Sequence, residues 1–181
     1  MVNGRQPKVP SATLVERWKP PENGWLKLNS DGVLAKSLDR GGGGVFLRDH
    51  VGAFRGAASC VFNGVSDPEV AEILACRKAV QMAVQRGAQK IHLEVDNKGV
   101  AAMINDKERN LSAAGAIIQE VKALLNTRQD YKVTWVRCSG NNAAHVLARE
   151  GLGLVSSKEW PVVPPDCILS VISDEIPSVG N

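Results

Sequence analysis

The chain has 181 residues, 44% of them hydrophobic and 23% charged, the balance of an ordinary globular domain rather than a collagenous, disordered or membrane-spanning chain. A formal charge of +3 permits a polyanionic partner without announcing one. No apolar run approaches the roughly 18 to 20 residues of a membrane span, and no apolar segment follows Arg5 and Lys8, so an intracellular protein, cytoplasmic or nuclear, is expected.

Residues 1–17 mix Gly4, Pro7, Pro10 and Ser11 with scattered charges and read as a flexible arm. The domain is expected over 18–159. Its first strand runs from Trp25 to Asp31, closed by an Asp31-Gly32 turn, and strands from Gly44 to Arg48 and Ala53 to Phe62 flank a turn at Asp49-His50-Val51-Gly52. Gly41 to Gly44 precedes a strand and lacks the Lys-Ser/Thr of a phosphate loop, so it points to a bend or close backbone packing.

A helix starts at Ser66-Asp67-Pro68-Glu69, either as a Ser66/Glu69 capping box or with Asp67 as cap and Pro68 in the first turn. Ala71, Ala75, Ala79 and Ala83 form a small-residue stripe suited to close approach to a sheet, and Gly87 closes the helix. Ile91, Leu93 and Val95 alternate with His92, Glu94 and Asp96 in a fourth strand. Helical stretches follow around Val100 to Ile104 and over Ala113 to Leu125, then a fifth strand over Lys132 to Val136 and a last helix over Asn141 to Leu154. The prolines at 161, 164 and 165 mark 160–181 as an extended tail. Cys60, Cys76, Cys138 and Cys167 show no metal-finger or C-x-x-C spacing and read as reduced packing residues.

Such an order fits an α/β sheet of mixed parallel and antiparallel pairs with helices on both faces. A crossover between the first and fourth strands would make them parallel and bring Asp31 and Asp96 to one edge of the sheet, where open α/β sheets bind ligands. Glu72, flanked by Ala71 and Ile73, is easier to explain as a buried ligand than as a surface charge. Clustered carboxylates call for a cation, and oxygen donors select Mg²⁺ or Mn²⁺. The chemistry implied is phosphodiester hydrolysis. Asn97 and Asn141 are candidate polar contacts to sugar or phosphate.

Several stretches carry a resemblance: Trp18-Lys19-Pro20-Pro21 leading to Gly24 through Gly32, Gly43 to Asp49, Ala71-Glu72-Ile73-Leu74-Ala75, Glu94-Val95-Asp96, and Asn142 to Ala148. Over about residues 18 to 175 the chain resembles the plant ribonuclease H-like domains related to the ribonuclease H of non-LTR retroelement reverse transcriptases. The resemblance implies a five-stranded mixed sheet of order 3-2-1-4-5, with Asp31, Glu72 and Asp96 as active-site acids. It places His145 where the family's catalytic members carry a fourth aspartate, so two Mg²⁺ or Mn²⁺ sites are expected, one of them weakened and better served by Mn²⁺. Arg137, in a loop without the family's histidine, is expected to contact phosphate. The activity implied is endonucleolytic cleavage of the RNA strand of an RNA/DNA hybrid. The alternatives are a hybrid-binding module with little or no turnover, and a related nuclease for another substrate.

Overall fold

The computed structural model describes residues 16–175 except 109, 111 and 113, so most of the expected N-terminal arm lies outside the described residues. Among them, six strands form one sheet in the order β5-β4-β1-β2-β3-β6: β1 (Trp25–Ala35), β2 (Arg40–Arg48), β3 (Phe54–Asn63), β4 (Lys90–Val95), β5 (Asp130–Trp135) and β6 (Lys158–Trp160). β1 pairs antiparallel with β2 and parallel with β4, and β4 pairs parallel with β5. This is the expected five-strand order with β6 added beside β3. The helices are α1 (Pro68–Gln85), α2 (Lys98–Asn105), α3 (Gly115–Asn126), α4 (Asn142–Gly153) and α5 (Leu169–Glu175). None among the described residues is long and apolar enough to cross a membrane.

The glycine run shows how the layers are arranged. Gly41 to Gly44 lies inside β2, not before it, because alternate residues of a strand face opposite sides and both sides carry a tightly seated helix. A Cβ on Gly41 or Gly43 would meet Ala71 or Ala75 of α1, both at 3.4 Å. One on Gly42 or Gly44 would lie 2.2 Å from the Ala148 carbonyl oxygen or 1.9 Å from that of Ala144, both in α4. α1 and α4 therefore pack on opposite faces, and the expected close backbone approach is met on both. α1, α2 and α3 share the main core with Leu28, Ile91 and Leu93, whereas α4 covers a smaller cluster of Phe46, Ala57, Leu147 and Ile168.

Of the two starts open for α1, the structure adopts the Asp67 cap: its side chain accepts from the Glu69 backbone N–H, and Pro68 occupies the first turn. Gly87, at φ +72, ends the helix with its N–H donating to Val84 O, while Ala88 N–H donates to Ala83 O, a Schellman closure.

Three expectations are corrected here. The first strand does not stop at Asp31-Gly32. β4 leaves the parallel ladder after Ser30, but β2 goes on pairing with β1, from Asp31 opposite Gly44 to Ala35 opposite Arg40. Gly32 serves close packing instead of a turn, since a Cβ there would lie 2.3 Å from Glu72 N. Nor is the segment from 160 a simply extended tail: Trp160 belongs to β6, and α5 buries Glu175 against Arg48 at 2.6 Å. Cys60 and Cys76 are buried, but Cys138 and Cys167 are exposed and so are not packing residues.

Candidate metal centre

β1 and β4 run parallel up to the Ser30 and Val95 pair, and the next residue on each chain is an acid. Asp31 continues β1, and Asp96 leaves β4 just before Asn97 caps α2, so both carboxylates emerge at the carboxyl end of the parallel ladder. Glu72 joins them from the second turn of α1, its Oε2 accepting the Gly32 backbone N–H at 3.0 Å. One ligand oxygen from each of Asp31, Glu72 and Asp96 lies within 4.8 Å of the others.

Burial and mutual repulsion dominate the electrostatics. Asp31 and Glu72 are 3% and 9% exposed. Burial first, then the charges of Asp31 and Asp96, pushes the Glu72 carboxyl up to about 9. Burial and then Asp96 raise Asp31 to about 6, against the opposing pull of His145. His145, on the exposed side of α4, places Nδ1 2.6 Å from Asp31 Oδ2. No lysine or arginine among the described residues forms an ion pair with any of the three acids. The donors are hard oxygens with no lysine or arginine among the described residues to neutralise them, so they fit a divalent ion such as Mg²⁺ or Mn²⁺.

The other singled-out residues separate. Asn97 is half-buried, and its Oδ1 accepts the Val100 N–H as the cap of α2. Arg137 is exposed, with Nε 4.0 Å from Glu16 Oε2. Asn141 does not reach the surface as expected of a nucleic-acid contact: it is 1% exposed, and its side chain bonds to Ser30 O and Asn29. Burial under α4 is the reason. Glu150, also on α4, accepts from Cys167 at 2.7 Å rather than joining the acids. Lys27, Asn29 and Glu94 form a buried polar group beside the site that composition and motif reading passed over. Its trace in the sequence is that Lys27, Asn29 and Asp31 fall on alternate positions of one strand and hence on one face.

The sheet order and the acid-bearing edge define a ribonuclease H-like fold. Residues 29–151 match the Reverse transcriptase-like family, and the chain belongs to that family. Among solved structures it is similar to the N-terminal RNase H domain of Rv2228c from Mycobacterium tuberculosis (TM-score 0.66, 18% identity, 71% of this chain and 94% of that one). It is equally similar to RNase H1 from Halobacterium salinarum (TM-score 0.66, 20% identity, 71% and 98%). LC11-RNase H1, isolated from compost and solved in complex with an RNA/DNA hybrid, matches at TM-score 0.62 and 15% identity over 71% and 96%. At these identities the likeness establishes the fold. No curated protein matches the chain.

Proposed function

We propose that this domain is a divalent-metal-dependent endonuclease that cuts the RNA strand of an RNA/DNA hybrid. The observation that carries the reading is the convergence of Asp31, Glu72 and Asp96 within 4.8 Å at the carboxyl end of the parallel strands. The family and the hybrid complex of LC11-RNase H1 support the substrate class. Asp31, Glu72 and Asp96 would hold the ion, and His145 would stand beside it through its bond to Asp31. When bound, the metal supplies Lewis-acid stabilisation of the scissile phosphate and an activated water. The protein's own part is to present three preoriented carboxylates, to hold Glu72 against the Gly32 N–H, and to keep Asp31 Oδ2 bonded to His145. Arg137, exposed beyond the end of β5, is the candidate phosphate contact, and Asn97, half-buried with its Oδ1 capping α2, is a second.

The Asp31 to His145 bond favours one alternative, a hybrid-binding module with weak turnover, because one Asp31 oxygen is already engaged. A labelled hybrid incubated with Mg²⁺ and with Mn²⁺ decides between them. Cleavage by the wild type but not by Asp31→Asn supports the nuclease, with Mn²⁺ the better cofactor. Binding without cleavage in either metal supports the module, and equal cleavage by both proteins rejects the site.

A further inference from the structure

The face of β1 that α4 covers is unusual for a covered face, and it suggests what holds the site together. Alternation along the strand puts Leu26, Leu28, Ser30 and Gly32 toward α1, and Lys27, Asn29 and Asp31 toward α4. Lys27 and Asn29 are 3% and 2% exposed. Buried polar groups of this kind cost stability unless their bonds are made, and here they are made to one another and to the segment before β1, where Lys27 Nζ donates to Lys19 O at 2.6 Å and Trp18 Nε1 donates to Asn29 Oδ1 at 3.1 Å. Lys27 Nζ donates to Glu94 Oε1 at 2.6 Å. Asn29 Nδ2 donates to Glu94 Oε2 at 3.1 Å and to Asn141 Oδ1 at 3.2 Å, and Asn141 Nδ2 donates to Ser30 O at 2.9 Å.

Well-packed apolar residues would serve stability at least as well as such a network, so its placement matters more than its bond count. Three of its members lie next to residues of the site. Ser30 directly precedes Asp31 on β1. Glu94 stands two residues before Asp96 on β4. Asn141 precedes α4, and its carbonyl accepts the backbone N–H of His145 at 3.1 Å. Asp67 and Asn97 turn their side chains onto their own helices as caps, whereas the Asn141 side chain makes no cap bond and reaches across to β1. It is the residue in this network that grips both the strand bearing Asp31 and the helix bearing His145.

We propose that Asn141 is a positioning residue: through its bonds to Ser30 O and Asn29 it sets where His145 meets Asp31, and thereby fixes the orientation of the Asp31 carboxylate. The claim rests on the nuclease reading for its effect on turnover but not for its effect on His145. Outer-shell partners of this type are typically worth about 10- to 100-fold in activity or metal affinity, and a misplacement of about 1 Å can cost a comparable factor.

The test compares wild type, Asn141→Ala, Asn141→Ser, His145→Ala and the Asn141→Ala/His145→Ala double variant. Two readouts are used, the ¹⁵N and ring-proton resonances of His145 in metal-free protein, and steady-state cleavage of a labelled hybrid in Mn²⁺. Serine is a good helix cap but too short to bridge to β1, so it separates capping from positioning if the alanine variant folds poorly. Both Asn141 variants are expected to move the His145 resonances toward those of an unbonded imidazole. They should lower kcat by about 10- to 100-fold with KM changed less than about threefold, and the loss should nearly vanish when added to His145→Ala. His145 resonances unchanged in Asn141→Ser, or fully additive losses in the double variant, overturn the proposal. A wild type that cleaves nothing removes the nuclease reading alone, since the resonance comparison still decides whether Asn141 positions His145.

Discussion

Replacing Glu72 by glutamine should make the metal-free protein more stable while removing its metal site. The folded chain holds the Glu72 proton far more tightly than an unfolded chain, with a value near 9 against an ordinary 4.5. Stability contributed by this group therefore falls as pH rises from 4.5 toward 9, because the unfolded chain releases the proton and the folded one must keep it or bear a buried charge. At pH 7 the cost is the 2.5 units between pH and the unfolded value, or about 3 kcal/mol at 1.36 kcal/mol per unit. It shrinks to less than about 1 kcal/mol at pH 5 and grows to about 5 kcal/mol at pH 8.5 by the same arithmetic. Glutamine has nearly the same shape, and its carbonyl oxygen can keep the bond from the Gly32 N–H, now 3.0 Å long, so the substitution removes the penalty without leaving a cavity. Urea unfolding in EDTA at pH 5, 7 and 8.5 measures this. Glu72→Gln should exceed the wild type by an amount that widens with pH, and Mn²⁺ should then stabilise only the wild type. A variant less stable than wild type at pH 7 in EDTA, or a difference that does not change with pH, refutes the reasoning.

The same proton should make Mn²⁺ binding pH-dependent: affinity is expected to rise about tenfold per pH unit between 6 and 8.5 and to level off near 9, by titration calorimetry, and a flat profile contradicts it. His145→Asp puts a fourth carboxylate beside Asp31 Oδ2, so it should lower metal-free stability and raise Mg²⁺-supported hybrid cleavage by about tenfold; unchanged Mg²⁺ turnover argues against a missing-acid effect. Gly44→Ala would force a Cβ to within 1.9 Å of Ala144 O and should cost about 3 kcal/mol or more in urea unfolding. Gly153→Ala, with nothing within 4 Å of the added Cβ, should change stability by less than about 1 kcal/mol, and equal effects at the two positions refute the packing account.

Much of the fold was legible because its elements announce themselves locally. The alanine stripe of α1, a start within Ser66 to Glu69, its Gly87 stop, and the alternation of Ile91, Leu93 and Val95 all follow from short-range periodicity and capping chemistry. The boundaries that went astray lie where distant segments decide. Asp31-Gly32 has the composition of a turn, yet pairing with β2 carries the strand on to Ala35. Lys158 to Trp160 becomes a strand because the edge of β3 is there to receive it, and no periodicity in three residues can signal that.

The candidate site divides in the same way. The three acids could be named from the chain because Asp31 and Asp96 close alternating runs that a parallel crossover brings to one edge, and Glu72 stands near the start of the capped helix between them. Whether Asn141 faces solvent or the interior could not be named, since an asparagine before a helix suits either place; the packing of α4 over Lys27 and Asn29 decided it. Which residues carry charge and which segments curl or extend can be read along the chain, because those properties reside in neighbours a few positions apart. Which polar groups meet, which are buried, and that His145 is bonded to Asp31 across 114 positions of chain emerge only from the folded molecule, because burial and pairing depend on contacts made after the helices have settled on the sheet.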